Sequence, residues 1–257
     1  MKLVDTHCHI HFADYGLDID EVIQSAREAG IVHMICVGCT LEDSKSGIDV
    51  AQHYPDISAS IGLHPHEASK YVNNPKALQT FRDLADEDQV VAIGEIGLDY
   101  FYEHSDREDQ KKLLKFQLTI AQEKELPVIF HVREAFADFW PIYDEFKPKG
   151  IIHSFTAGQQ EIDQILKRGL LIGLNGIMTF TKNQEQLEAI KQIPLKNLVV
   201  ETDAPYLTPV PFRGTICQPK HVATTAAFLS DLRGESINNF AEITTENAFR
   251  LFNLKSL

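Results

Sequence analysis

The chain has 257 residues, of which 44% are hydrophobic and 24% charged, and its formal net charge is −13. This composition is ordinary for a globular protein, and the length allows one large α/β domain. The negative charge argues against a broad nucleic-acid-binding surface, which needs Lys and Arg, but it permits a small site where bound cations supply positive charge. No apolar run has membrane-spanning length and no secretory leader pattern is present, so we expect a cytoplasmic protein.

Apolar runs with strand character alternate with amphipathic, helix-like stretches along the chain. The predicted strands cover residues 3–7, 32–37, 58–63, 90–95, 127–131, 150–153, 170–174 and 198–201. The predicted helices cover residues 19–29, 106–125, 160–168, 184–191, 219–232 and 236–252.

Eight apolar strands alternating with helices indicate a parallel sheet, and the length is typical of a (β/α)8 TIM barrel. A doubly wound open sheet is the alternative, although no glycine-rich nucleotide motif follows the first strand. No long linker divides the sequence, so we predict a single domain over residues 1–257.

Two histidines, His7 and His9, lie two residues apart at the end of the first predicted strand. Side chains alternate along a strand, so both imidazoles point to the same face, which is the interior in a barrel. Cys8 then points outward and is predicted to pack. A lone histidine near a strand is more often structural, but a pair just after Asp5 favours metal binding.

Four further potential ligands lie at or near the ends of later predicted strands: Glu95, His131, His153 and Asp203. The carboxyl ends of the strands meet at one end of a TIM barrel, where active sites form. Imidazoles suit Zn and Mn, and carboxylates also accept Mg. We therefore predict two divalent cations (Mg, Mn or Zn). The predicted ligands of one are His7, His9, Glu95 and Asp203, and those of the other are Glu95, His131 and His153.

Other polar residues near the same strand ends are candidates for substrate contact. His64 follows the third predicted strand and is a candidate substrate contact or proton donor. Arg133 and Arg213 could each bind a phosphate through the guanidinium fork, with a surface ion pair as the alternative. Glu201 is a candidate supporting acid beside Asp203.

The four cysteines suit a reducing compartment better than a disulfide framework. Cys36 and Cys39 form a lone C-x-x-C pair without a second metal-binding pair, so we predict that both are structural. His66 is also predicted to be structural.

Eight segments, in chain order, resemble a known family: DTHCHIHF, GLHPH, GEIGLDY, FHVREA, HSFTAG, VVETDAPYLTP, PFRG and TTENAFRLFN. They are similar to the motif series of the TatD-related metal-dependent deoxyribonucleases, a branch of the amidohydrolase-like TIM-barrel enzymes. The resemblance extends from residue 4 to about residue 253, and the combination of D-T-H-x-H with ETDAPYL is highly specific.

The resemblance implies a (β/α)8 barrel, a divalent-metal centre and hydrolysis of phosphodiester bonds in DNA, often from the 3′ end. The residues it implies are the ligand pair His7 and His9, the bridging acid Glu95, the second-site histidines His131 and His153, the final ligand Asp203 and the mouth histidine His64. Two segments depart from the family pattern. Residues 215–219 lack the usual basic and Asn residues, and residues 156–158 lengthen the loop after His153.

We therefore expect a metal-dependent hydrolase, and first a 3′–5′ exonuclease-like deoxyribonuclease acting on DNA or nucleotide ends. In this hypothesis Asp203 takes a proton from the attacking water, Arg133 and Arg213 hold the phosphate, and His64 protonates the leaving oxygen. One alternative is an amidohydrolase-type esterase or amidase, such as a D-aminoacyl-tRNA deacylase. The other is a non-catalytic metal-binding protein. We expect no membrane association, and the sequence does not determine the oligomeric state.

Overall fold

The computed structural model describes residues 1–255. Across this range eight β-strands form one sheet, whose order follows the chain from β1 to β8. The strands are β1 Leu3–Cys8, β2 Ile31–Val37, β3 Ile57–Ile61, β4 Val90–Asp99, β5 Val128–Arg133, β6 Gly150–Ile152, β7 Leu171–Leu174 and β8 Leu198–Val200. Consecutive strand order with helices between the strands is the (β/α)8 architecture, so the predicted fold class is confirmed.

The α-helices are α1 Ile19–Glu28, α2 Leu41–His53, α3 Ala68–Tyr71, α4 Pro75–Leu84, α5 Arg107–Glu123, α6 Phe136–Phe146, α7 Gln159–Lys167, α8 Gln184–Lys191, α9 Val222–Arg233 and α10 Ile237–Phe252. Short 3₁₀ turns cover Pro65–Glu67, Gly176–Thr179, Leu195–Asn197 and Pro219–His221. Among the described residues, no helix is both long enough and apolar enough to cross a bilayer.

The chain forms two compact units. The central unit comprises residues 36–153, and the terminal unit comprises residues 1–35 with the chain from residue 154 onward. The single domain over residues 1–257 stays a prediction, and its last two residues lie outside the described part.

In the central unit, β3, β4, β5 and β6 pair in parallel. The helix α5 covers this part of the sheet and begins at Asp106, whose carboxylate accepts hydrogen bonds from two backbone N–H groups of the first turn. Such a cap satisfies donors that a helix start leaves unpaired. Leu113, Leu114 and Leu118 lie on the buried face of α5, and Phe130 of β5 is fully buried.

In the terminal unit, β7 pairs in parallel with β8, and Cys8 at the end of β1 bridges to Ala204 beyond β8. The helix α10 begins at the capping residue Ser236 and buries Phe240 and Phe252. These contacts hold the carboxyl ends of β1 and β8 side by side within this unit.

Two boundaries differ from the predictions in a way that affects the site. The strand β4 continues to Asp99, four residues beyond its predicted end, although glycine usually weakens a strand. Gly97 permits the continuation because it pairs with His131, and a Cβ at Gly97 would collide with the carbonyl oxygen of His131. The predicted helix over residues 219–232 starts as a 3₁₀ turn and becomes α-helical at Val222.

Candidate metal centre

Three imidazoles surround the carboxylate of Glu95 in the central unit. The Nδ1 atom of His131 lies 2.7 Å from Glu95 Oε1, and the Nε2 atom of His153 lies 2.8 Å from the same oxygen. His64 Nε2 lies 3.4 Å from this oxygen, and His131 Nδ1 lies 3.3 Å from His153 Nε2. The four residues occupy or closely follow β3 to β6, so their convergence follows from the parallel arrangement of these strands.

Electrostatic attraction and hydrogen bonds between the imidazoles and carboxylates shift the pKa values of this central cluster. Burial alone would raise the pKa of Glu95, but His153, His64 and His131 hold it well below its ordinary value. Burial likewise opposes a charged His131, yet hydrogen bonds to Asp99 and Glu95 raise the pKa of its imidazole. The cluster therefore favours an ionised Glu95 even though the side chain is buried.

Asp99, a residue that the sequence analysis did not select, holds His131 from the other side. Its Oδ2 atom accepts hydrogen bonds from His131 Nε2 at 2.9 Å and from His66 Nε2 at 3.0 Å. Burial would raise its pKa, but the bonds from His131 and His66 and a backbone N–H keep that pKa well below its usual range. A carboxylate on the remote nitrogen of an imidazole fixes the tautomer and orientation of a metal ligand. The Asp in GLDY, at the strand end opposite Arg133, was the sequence signal for this role.

The terminal unit contains a second cluster of ligand-type atoms. His7 Nε2 and His9 Nε2 lie 3.1 Å apart, and Asp203 Oδ1 lies 3.6 Å from the first and 3.4 Å from the second. Both histidines are buried, and 16% of the Asp203 side chain is exposed. The shared orientation predicted for His7 and His9 from strand alternation is therefore observed within this unit.

The backbone of the terminal unit holds Asp203 in place. The Asp203 N–H donates to the carbonyl oxygen of His7 at 2.8 Å, and the His9 N–H donates to the carbonyl oxygen of Ala204 at 2.7 Å. Asp203 has φ = 61°, in the left-handed region that Asn and Asp tolerate better than most residues. Beneath it, buried Asp5 accepts hydrogen bonds from the backbone N–H and the hydroxyl of Thr202, and burial raises the pKa of Asp5 to about 8.

Both clusters have the donor chemistry for a divalent cation, and the terminal cluster also has the spacing. Each offers imidazole nitrogens together with at least one carboxylate oxygen, the ligands that Zn and Mn accept. Ligand atoms about 2.0–2.2 Å from one ion lie roughly 3.0–3.6 Å from one another. The spacings of 3.1, 3.4 and 3.6 Å in the terminal cluster match this range. In the central cluster the contacts of Glu95 with His131 and His153, at 2.7 and 2.8 Å, are hydrogen-bond distances.

The two predicted phosphate-binding arginines are exposed and contact aromatic rings. The Arg133 guanidinium lies 4.0 Å from the centre of the Phe101 ring and 4.7 Å from that of Tyr102. The Arg213 guanidinium lies 4.0 Å from the centre of Phe180 and donates to the carbonyl oxygen of Thr208. Within residues 1–255, neither arginine forms the surface ion pair that was the alternative.

Hydrogen bonds also define the surroundings of three other residues considered in the sequence analysis: His64, Glu201 and Cys39. The backbone N–H of His66 donates to Nδ1 of His64, and burial lowers the pKa of His64 to about 4. The buried Glu201 carboxylate accepts from the backbone N–H of Ser154 and so supports the chain after β6. Cys39, predicted to be structural, places its thiol 3.6 Å from Glu95 Oε2 and donates to that oxygen.

Residues 4–253 match the family described as TatD related DNase. YabD of Bacillus subtilis, named an uncharacterized metal-dependent hydrolase, is 34% identical over 255 residues, covering 98% of this chain and 99% of YabD. A protein of Erwinia tasmaniensis, named 3′-5′ ssDNA/RNA exonuclease TatD, is 36% identical over 264 residues, covering 98% of this chain and all of the relative.

Solved structures agree with the sequence relatives. The crystal structure of YJJV, a TatD homolog from Escherichia coli, is 29% identical and has a TM-score of 0.91, with 98% of each chain covered. A phosphotriesterase homology protein from Escherichia coli, at 14% identity and a TM-score of 0.71, shares the fold alone. The chain therefore belongs to the TatD related DNase family and is a metal-dependent hydrolase of that family.

Proposed function

We propose that this protein is a deoxyribonuclease that removes nucleotides from the 3′ end of DNA with the help of two divalent cations. The observation that carries the proposal is the pair of clusters, each of which brings imidazole nitrogens and a carboxylate oxygen within 2.7–3.6 Å of one another. His7, His9 and Asp203 hold one cation, and Glu95, His131 and His153 hold the other. The assignment of Glu95 as an acid shared by both cations stays a prediction.

The relatives support the choice of bond. The Erwinia tasmaniensis protein is named as an exonuclease acting on single-stranded DNA and RNA, and it aligns with nearly all of this chain. Bound Mg, Mn or Zn would lower the pKa of a water molecule and neutralise phosphate charge, which is the chemistry that phosphodiester hydrolysis requires.

The residues of the chain have separate tasks in this proposal. Asp203 retains some solvent exposure, so its carboxylate can orient a water molecule and accept its proton. His64 is neutral near pH 7 because burial lowers its pKa, and its Nδ1 already accepts a backbone hydrogen bond. Its Nε2–H is therefore a hydrogen-bond donor, which favours substrate contact over proton donation for His64.

In this proposal two arginine side chains supply the positive charge that binds the phosphates of the substrate. Arg133 and Arg213 are exposed and have no ion-pair partner among residues 1–255, so each guanidinium can take a phosphate. The net charge of −13 disfavours a long nucleic-acid footprint. Both features support a substrate that is bound by its end.

A digestion of 5′-labelled single-stranded DNA by metal-stripped protein tests the proposal. We expect a ladder of shortened products after Mg, Mn or Zn is added, and no ladder with the Glu95→Gln variant. If protein that binds metal shortens no oligonucleotide but hydrolyses a carboxylic ester, the nuclease assignment is wrong and the deacylase-type alternative is favoured. Metal binding without turnover of either ester would indicate the non-catalytic alternative.

A further inference from the structure

The loop after β4 exposes two neighbouring aromatic rings. Phe101 and Tyr102 are each 50% exposed, and they are the large hydrophobic side chains most open to solvent within residues 36–153. Their ring centres lie 4.8 Å apart with perpendicular planes. Adjacent exposed apolar side chains indicate an interaction surface more strongly than isolated ones do.

One guanidinium contacts both rings. Arg133 lies 4.0 Å from the centre of Phe101 and 4.7 Å from that of Tyr102, and His104 lies parallel to Tyr102 at 5.7 Å between ring centres. The nearby carboxylate of Glu103 is paired with Arg107, so its charge is compensated. We call Phe101, Tyr102 and Arg133 the aromatic platform.

The aromatic platform is tied to the central cluster by one carboxylate. The backbone N–H groups of Phe101 and Tyr102 donate to Oδ1 of Asp99 at 2.9 and 3.0 Å. The other oxygen of Asp99 accepts from His131, which contacts Glu95. The loop that carries the rings is therefore fixed relative to the proposed ligands of one cation.

We propose that the aromatic platform stacks an unpaired base of the nucleic-acid end while Arg133 binds an adjacent phosphate. This inference rests on the proposed function and adds the residues that would hold a single-stranded end. Stacking is independent of base identity, since every base has a π face, and it supplies affinity that a chain with few basic contacts lacks. A base held inside a duplex cannot present its face in the same way.

Equilibrium binding of a fluorescent, 5′-labelled oligothymidylate in the presence of chelator tests the platform without turnover. The Phe101→Leu and Tyr102→Leu variants retain apolar side chains but lose the rings, and each is expected to bind about 10-fold more weakly. Tyr102→Phe retains a ring and is expected to bind like the unmodified protein. Equal binding by all variants, or no binding by the unmodified protein, would overturn the inference.

A second comparison separates stacking from general disruption. On the unmodified protein, an oligonucleotide with abasic sites in place of its last bases is expected to bind about 10-fold more weakly than the normal oligonucleotide. Each leucine variant is expected to bind the abasic and the normal oligonucleotides equally well. If the leucine substitutions weaken binding of normal and abasic oligonucleotides by the same factor, the rings do not contact bases. If binding depends on the rings but no cation supports digestion, the platform stands and the nuclease assignment fails. If digestion proceeds and the rings have no effect on binding, the nuclease assignment stands and the platform fails.

Discussion

Asp99 determines the orientation of His131 although it is not among the proposed ligands. Its replacement by Asn removes the negative charge beside the remote nitrogen of His131 and leaves every proposed ligand in place. We expect the Asp99→Asn variant to bind one of two equivalents of Zn or Mn about 10- to 100-fold less tightly, because supporting carboxylates have effects of this size. Competition with a chromophoric chelator measures the affinity.

The matched control for Asp99 is Asp138, which accepts a hydrogen bond from Tyr100 in the same unit and does not contact the cluster. Its change to Asn should leave metal affinity within about twofold. Unaltered affinity in the Asp99→Asn variant would contradict the role assigned to this carboxylate.

Asp203 combines a chemical role with a backbone conformation that few residues adopt readily. Asn also tolerates the left-handed region, so the Asp203→Asn variant should unfold at nearly the same temperature as the unmodified protein. Loss of the carboxylate should lower kcat on DNA by about 10²- to 10⁴-fold, the usual contribution of a general base. Steady-state kinetics and thermal unfolding measure the two effects.

A comparison with Asp203→Ala separates the two roles. Alanine lacks the side chain that favours the left-handed conformation, so this variant should lose about 1–2 kcal/mol of unfolding free energy as well as activity. Near-normal turnover by the Asp203→Asn variant would exclude this residue as the base.

At the scale of elements, β4 is the strand on which the central cluster depends. It carries Glu95 and ends at Asp99, and Gly97 between them lies opposite His131 of β5. A methyl group at Gly97 would occupy the position of the His131 carbonyl oxygen. We expect the Gly97→Ala variant to lose about 3 kcal/mol or more, since overpacked backbone contacts cannot relax easily.

Gly169 provides the control for that substitution. It also has a positive φ, of 71°, but apart from its own chain neighbours no described residue has an atom within 4 Å of a Cβ added there. Its change to Ala should cost only about 1–2 kcal/mol, the conformational penalty alone. Denaturant unfolding of both variants measures the difference, and equal losses would show that the contact with His131 is unimportant.

The same strand shows where prediction from the sequence reaches its limit. The proximity of His7 to His9, and of Glu95 to His131 and His153, could be predicted because apolar runs end at these residues and strand ends converge in a parallel sheet. Their role as metal ligands stays a prediction. Asp99 was not selected because the predicted strand stopped at Glu95, whereas in the structure the strand pairs with β5 from Ile96 to Asp99. The position of Cys39 beside Glu95 depends on tertiary contacts, which a C-x-x-C spacing does not encode.

At the scale of the whole molecule, the order and number of strands could be predicted from the alternation of apolar and amphipathic segments. Helices α2, α3, α4 and α6 were not identified individually. Helix α3 has only four residues, and the periodicity of others is interrupted by residues such as Gly47 in α2 and Pro141 in α6. Thr40 and Asn74 cap the starts of α2 and α4, and Pro75 occupies the first turn of α4. These are start signals that can be read from the sequence, and the sequence analysis did not use them.

The charge of the whole molecule leads to a prediction about salt. Release of counterions from single-stranded DNA gives a logarithmic salt slope of about −0.7 per phosphate contacted, so Arg133 and Arg213 together would give about −1.4. The net charge of −13 repels DNA, and added salt screens this repulsion, which makes the slope less negative.

We therefore expect kcat/KM for single-stranded DNA to fall with added KCl along a slope between 0 and about −1.4, measured at a fixed, saturating metal concentration. The Arg133→Met variant should make that slope less negative by about 0.7. A slope steeper than about −3 would require a basic surface beyond these two arginines, and would contradict end recognition by a few contacts.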